Sequence, residues 1–167
     1  VMYAEFLADP AANPLETPSG RIELFSDTVA SFGYHDCPGH PVWIEPSEWL
    51  GAADTEPDEL HLISNQPPNR LHSQHDAGGI SRASKVAGRE PLTMHPDDAA
   101  RRGLSAGSLV RVFNERGALL AGLVVADSVM PGVVQIPTGA TYDPYDHGEL
   151  GEICLHGNPN AVTRDVG

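Results

Sequence analysis

Two stretches of this 167-residue chain gather side chains able to do chemistry. The first is SNQPPNRLHSQHD, Ser64 to Asp76, where Asn65, Asn69, Arg70, His72, Ser73, Gln74, His75 and Asp76 fall within a few residues of each other. Asn and Gln each carry a donor and an acceptor, Arg carries a planar fork of donors, and His donates or accepts according to tautomer. Such a set suits a ligand with many directed polar atoms. The second is HGNPNAVT, His156 to Thr163, in which Gly157 and Pro159 constrain the backbone that carries His156, Asn158 and Asn160. Each stretch also has a plain reading. The first can be a solvated surface loop, and the second a turn whose Asn side chains satisfy their own backbone.

Other chemistries find less support. His72 and His75 form an HxxH, but it lies in a loop with no acidic partner at helical spacing, so solvated or hydrogen-bonded histidines are the better reading than a metal site. Ser73 lacks a GxSxG elbow, and Gly78-Gly79 continues into no phosphate-binding glycine motif. Asp143, Asp146 and Glu149 could be called an acid pair, but Tyr142 to Asp146 reads more plainly as a polar turn. Cys37 and Cys154 match no zinc or CxxC spacing. The chain by itself does not read as a complete enzyme.

The elements that must position these residues are short. Leu60–Ile63 alternates as a strand, and Pro67-Pro68 ends regular pairing because neither residue can donate to a ladder. His95 to Gly103 predicts a helix: Pro96 suits the first position, Asp97 and Asp98 the positive end, Arg101 and Arg102 the negative end, and Gly103 the left-handed cap. Leu109–Phe113 and Leu119–Val125 predict strands joined by a hairpin at Asn114–Gly117, where Asn114 and Arg116 serve the turn. Val133–Ile136 predicts a further strand, and Arg21–Phe25 a short one after the turn Thr17–Gly20. Residues 1–57 read as an irregular connecting segment from a larger chain, ending in a polar linker from Asp54 to Glu59. Residues 58–167 read as a compact β-barrel, a shape that leaves no edges exposed.

Composition narrows the function classes. Hydrophobic residues make up 40% and charged residues 20%, which supports a folded core. Gly 17 and Pro 15 favour many turns. The formal charge of -13 argues against nucleic acid, whose recognition needs clustered Lys and Arg. No apolar run approaches a membrane span. The opening VMYAEFLADPAANP has no signal-peptide pattern and reads as the middle of a longer chain, so compartment stays undetermined.

Six blocks in order, TPSGRIELFS, LHLISNQPPNRLHSQ, GREPLTMHPDDAARRGL, VRVFNERGALLAG, PGVVQIPTGATYDP and HGNPNAVTRDVG, resemble the C-terminal part of molybdopterin oxidoreductases of the dimethyl sulfoxide reductase family. The likeness is greatest to the trimethylamine N-oxide, dimethyl sulfoxide and biotin sulfoxide reductase branch. The resemblance implies a mainly β, double-psi β-barrel with short helices and an irregular N-terminal segment. It implies a bis(molybdopterin guanine dinucleotide) cofactor with molybdenum, whose metal ligand lies in another part of the polypeptide. Asn65, Arg70, His72, Ser73, Gln74, His156, Asn158 and Asn160 are then the expected cofactor-binding residues, with no catalytic or metal-ligating residue in this chain. The implied partners are the remaining domains of the same enzyme and a small S-oxide or N-oxide substrate. Two other classes stay open beside it: a stand-alone double-psi barrel metal hydrolase using His72 and His75, and an acidic module that binds a basic partner.

Overall fold

The computed structural model describes residues 2–52 and 55–164. Internal contacts divide the chain at Ser47/Glu48 into two units. The first unit holds two short helices, α1 (Ala4–Ala8) and α2 (Asp27–Ala30). Ser26 caps α2, its Oγ accepting the Val29 N–H at 3.2 Å. The turn expected at Thr17–Gly20 is present, closed by the Gly20 N–H on Thr17 O. The strand expected at Arg21–Phe25 is not. Among the described residues no strand lies beside it to complete a ladder, and Ile22 and Leu24 are exposed at 67% and 81%. Alternation is a pattern that a strand needs, but without a partner it has nothing to bond.

Among its described residues the second unit contains seven strands: β1 (His61–Ile63), β2 (Pro91–Met94), β3 (Leu109–Asn114), β4 (Gly117–Val125), β5 (Val133–Gln135), β6 (Pro144–Asp146) and β7 (Glu152–Cys154). Helices α3 (Gly79–Ala83) and α4 (Pro96–Arg101) and a 3-10 turn (Pro159–Ala161) complete it. The strands form one barrel-like sheet in the order β1-β5-β2-β4-β7-β6, with β3 on β4. β1·β5, β2·β4 and β4·β7 are parallel, while β2·β5, β3·β4 and β6·β7 are antiparallel. The pairing path ends at β1 and β6, so the ladder does not close on itself among the described residues.

β4 is the spine of the sheet. Its sequence GALLAGLVV is apolar throughout, as a strand covered on both faces must be. Ala118, Leu119, Ala121 and Leu123 are each 3% exposed or less. Around them pack Leu92 and Met94 from β2, Val134 from β5, Cys154 from β7, and Ile136, Ala99 and Val162. In β2 the alternation is plain, with Leu92 and Met94 inward and Pro91 and Thr93 half-buried.

The helix expected at His95–Gly103 forms as α4. His95 Nδ1 accepts the Asp97 N–H at 3.2 Å, and Gly103 takes the left-handed φ of 63°. The hairpin forms with Glu115 and Arg116 at its tip, Asn114 pairing with Gly117. Two expectations change. Residues Pro144–Asp146 are an edge strand on β7 instead of a plain polar turn, and Pro144 is tolerated as the strand's first residue. The linker residues Thr55–Glu59 are anchored: Thr55 Oγ1 donates to Trp49 O at 2.9 Å, and Arg102 Nη2 to Asp58 O at 2.8 Å. Asp54 of that linker lies outside the described residues. Both cysteines are free thiols, Cys37 exposed and Cys154 buried.

Candidate functional site

β1 and β5 run parallel, so the chain leaves both at the same end of the sheet. The segment after β1 is Ser64–Asp76, and the segment after β5 is Ile136–Thr141. They are strapped together: the Ile136 N–H donates to Ile63 O at 3.0 Å and the Thr138 N–H to Asn65 O at 2.8 Å. Tight turns then fold the polar loop, with backbone bonds from Gln74 to Leu71, Asp76 to Ser73, and Gly78 to His75. His72 and His75 carry φ of 49° and 60°. Left-handed backbone costs a non-glycine residue about 1–2 kcal/mol, so surrounding contacts must impose it. One such contact is Gly139, φ 87°, which lies so close to the His72 carbonyl that a Cβ there would clash.

Beneath the loop lies a buried network of four charges. Arg70, with a side chain 1% exposed, donates from Nε to His72 O (3.2 Å), from Nη1 to Ser81 Oγ (3.1 Å), and from Nη2 to Glu90 Oε2 (3.0 Å) and Thr138 O (2.8 Å). Lys85 Nζ bridges Asp76 Oδ1 and Glu90 Oε1, each at 2.7 Å. Asp76 Oδ2 accepts the Thr141 N–H at 2.9 Å and the Thr141 hydroxyl at 2.8 Å. Burial pushes the Asp76 carboxyl up, but the Lys85 ammonium and the Thr141 donors outweigh it and hold that carboxyl well below the usual range. Two cations balance two carboxylates, which is what burial demands of charges. The Glu90 N–H also reaches His156 O at 3.4 Å, so the network abuts the second polar segment.

The expected site residues fall into three situations. Asn65 is half-buried, its Nδ2 donates to Gln66 O at 3.3 Å, and its Oδ1 is buried with no partner among the described residues. His72, Ser73 and Gln74 are exposed and their side chains carry no hydrogen bond among the described residues. Arg70 differs from the expectation of a fork of donors free for a ligand, since four of its N–H groups already have protein acceptors. Of its five N–H groups this leaves one uncommitted.

In the second segment, His156 Nε2 stands 3.4 Å from Asp143 Oδ2, and Asn160 is exposed with no side-chain partner among the described residues. Asn158 Oδ1 accepts the Asn160 N–H at 3.0 Å and caps the 3-10 turn, which is the self-satisfying turn chemistry weighed for it. Within the hairpin the Arg116 N–H donates to Asn114 Oδ1 at 3.0 Å, while Asn114 Nδ2 and Arg116 Nε both donate to Val162 O and tie the hairpin to the second segment. A depression of about 300 Å³ lies beside that hairpin, lined by Arg111, Asn114, Tyr142 and Glu152 among others. Tyr142 donates to Glu152, a bond that raises the phenol's pKa.

Sequence reasoning missed Ser81, Lys85, Glu90 and Thr141. One signal was available: Lys85 is the chain's only lysine. It stands five residues before Glu90 in a stretch otherwise poor in acidic residues. Among the described residues no three His, Cys, Asp or Glu side chains gather as they would to hold a metal ion.

Comparison with known proteins places this arrangement. Residues 60–167 match the family model described as "Molydopterin dinucleotide binding domain". The chain belongs to that family. Its cofactor is accordingly a molybdopterin guanine dinucleotide carrying molybdenum. The chain is 47% identical over its full length to the dimethyl sulfoxide/trimethylamine N-oxide reductase of Cereibacter sphaeroides, of which it covers 20%. It is 52% identical over 98% of its length to the biotin sulfoxide reductase of the same organism, covering 21% of that protein. It is 47% identical to trimethylamine-N-oxide reductase 1 of Escherichia coli K12, again covering 20%. The chain therefore spans about one fifth of the length of these curated relatives. Acetylene hydratase from Pelobacter acetylenicus shares the fold, with a TM-score of 0.65 at 24% identity over 95% of this chain and 22% of that one. The molybdopterin dinucleotide-binding domain is thus the barrel-like sheet, and no helix among the described residues is long and apolar enough to cross a membrane.

Proposed function

We propose that this chain is the cofactor-binding C-terminal domain of a molybdenum oxidoreductase that reduces S-oxides or N-oxides by oxygen-atom transfer. The observation that carries the reading is the Ser64–Asp76 loop. It is held rigidly at one end of the sheet while Asn65, His72, Ser73 and Gln74 keep hydrogen-bonding capacity that the protein does not use. A pterin dinucleotide is a matching ligand, with ring donors and acceptors, a pyrophosphate and a guanine. The fit is chemical: a buried acceptor without a donor, as at Asn65 Oδ1, is stabilised by a ligand N–H.

In this reading each residue has a role. Asn65 accepts from a ring N–H. His72, Ser73 and Gln74 contact the polar edges of the ligand, and Asn160 does so from the second segment. His156, oriented by Asp143, and Asn158, through the turn it caps, hold that segment's shape. Arg70 sets the loop's path and keeps one N–H for the ligand. When bound, the cofactor supplies the centre at which the substrate's oxygen leaves, two electrons and two protons from outside converting it to water. The domain contributes binding, orientation and electrostatics. Residues 1–57 connect this domain to the rest of the enzyme, and the domains that ligate the metal and admit substrate are its partners.

The full-length protein tests the reading. Purified after expression in a host that makes the cofactor, it should contain molybdenum, pterin and GMP in fixed ratio. It should oxidise a reduced viologen dye with dimethyl sulfoxide, biotin sulfoxide or trimethylamine N-oxide as acceptor. Protein free of pterin, or loaded protein inert to all three acceptors, would overturn it.

A further inference from the structure

Asn69 lies one residue before Arg70 and outside the set of expected cofactor contacts. Its Nδ2 donates to Ser84 Oγ at 2.8 Å, and Ser84 Oγ donates to Ser81 O at 2.7 Å. A serine hydroxyl has one proton. With that proton on the Ser81 carbonyl, Ser84 can only accept from Asn69. The orientation of the Asn69 amide is therefore fixed by its neighbours' chemistry, which is how an amide's two ends are told apart. Ser81 is itself held, since Arg70 Nη1 donates to its hydroxyl at 3.1 Å. The amide's other end, Oδ1, is buried and has no hydrogen-bond partner among the described residues.

Asn65 repeats the arrangement on the far side of Pro67-Pro68. Its NH2 is held by Gln66 O at 3.3 Å and its Oδ1 is buried without a partner. Two anchored amides thus present two unpaired carbonyl oxygens from one loop. Buried polar atoms left without partners are unfavourable, and a pair of them in a ligand-binding loop marks the place of a missing donor.

We infer that Asn69 is a further cofactor-binding residue, its Oδ1 accepting an N–H from a 2-amino-4-oxopyrimidine ring. Pterin and guanine share that ring, and the inference rests on the cofactor-binding reading above. A carbonyl acceptor in this position selects for the 2-amino group, because a 2-oxo or unsubstituted ring offers it nothing to accept from that position.

The test uses full-length protein freed of cofactor and two pairs of probes: GMP against IMP, which lacks the 2-amino group, and pterin against lumazine, which carries oxygen there. Calorimetry should show the wild type preferring the amino member of one pair by about tenfold. Asn69→Leu should erase that preference, and Asn69→Asp, which keeps an acceptor oxygen, should retain it. Loss confined to GMP/IMP assigns the guanine to Asn69, and loss confined to pterin/lumazine assigns the pterin. Ser84→Ala, which frees the amide to rotate, should lower the same preference and decides the matter if Asn69→Leu fails to fold. Unchanged preference in these variants, with or without a lower Tm, overturns the inference, as does a wild type that discriminates neither pair. A wild type that binds none of the four probes and also purifies without pterin overturns the cofactor-binding reading itself.

Discussion

At the scale of single residues, Asp76 is the group whose charge the structure most visibly defends. Burial opposes the carboxylate, and Lys85 with Thr141 more than offsets it, so the folded-state pKa lies below the ordinary value of 3.8. A carboxylate depressed in the folded state adds stability that is fully present above its unfolded pKa and is lost as pH falls through the folded one. Asp76→Asn, which mimics the protonated acid, should therefore lower stability at pH 7 by about 3 kcal/mol, because it leaves Lys85 short of one carboxylate. Urea unfolding from pH 7 downward should show that deficit constant to about pH 4 and shrinking below it. A deficit that does not vary with pH would sink the assignment. The sequence displayed Asp76 and Arg70 as neighbours in a polar loop but not their partners. Glu90 and Thr141 are brought in by strand pairing, and separations of 20 and 65 residues cannot be read from local spacing. That is why Arg70 read as a ligand's fork when most of its donors are committed within the protein.

At the scale of elements, what was legible followed from strong local signals. Pro96 and Gly103 bracket α4, Asn114 and Gly117 frame the hairpin, and the apolar runs of β3, β4 and β5 appear where their patterns put them. Local pattern did not announce β2, α3, β6 or β7. β6 (PYD) and β7 (EIC) carry no apolar run of their own and exist because β6 pairs with β7 and β7 with β4. Arg21–Phe25 shows the converse, a pattern without a partner. The contact between the two segments that build the site is likewise a matter of elements. Gly139 packs its bare backbone on the His72 carbonyl at φ 87°, so Gly139→Ala should both strain the backbone and push the loop away. We expect it to cost about 2–3 kcal/mol from the combined strain and clash. Thermal melting should record that loss, and the purified full-length variant should carry less pterin per chain. Full cofactor content would show that the loop does not depend on this contact.

At the scale of the whole molecule, the unit boundary makes a direct prediction. Composition set it near residue 57, whereas internal contacts set it at Ser47/Glu48, and Arg116 forks onto Glu48 at 2.8 and 3.0 Å. Limited proteolysis with mass spectrometry should yield a resistant fragment beginning near Glu48, because cleavage follows exposed backbone with few contacts. A fragment beginning near Asp58 would favour the compositional boundary instead. The buried quartet of Arg70, Asp76, Lys85 and Glu90 has a further consequence, which concerns timing. Its charges cancel internally, so the loop above it needs no counter-charge from a ligand to reach its final shape. The loop's backbone is then set by the protein's own contacts, and the cost of ordering it falls on folding and not on binding. Such a domain can complete its fold first and take up its ligand afterwards. Hydrogen exchange at the hydrogen-bonded amides of Gln74, Asp76 and Gly78 should accordingly be slow before loading and change little after it. Amides that became protected only on loading would mean that the ligand builds its own berth.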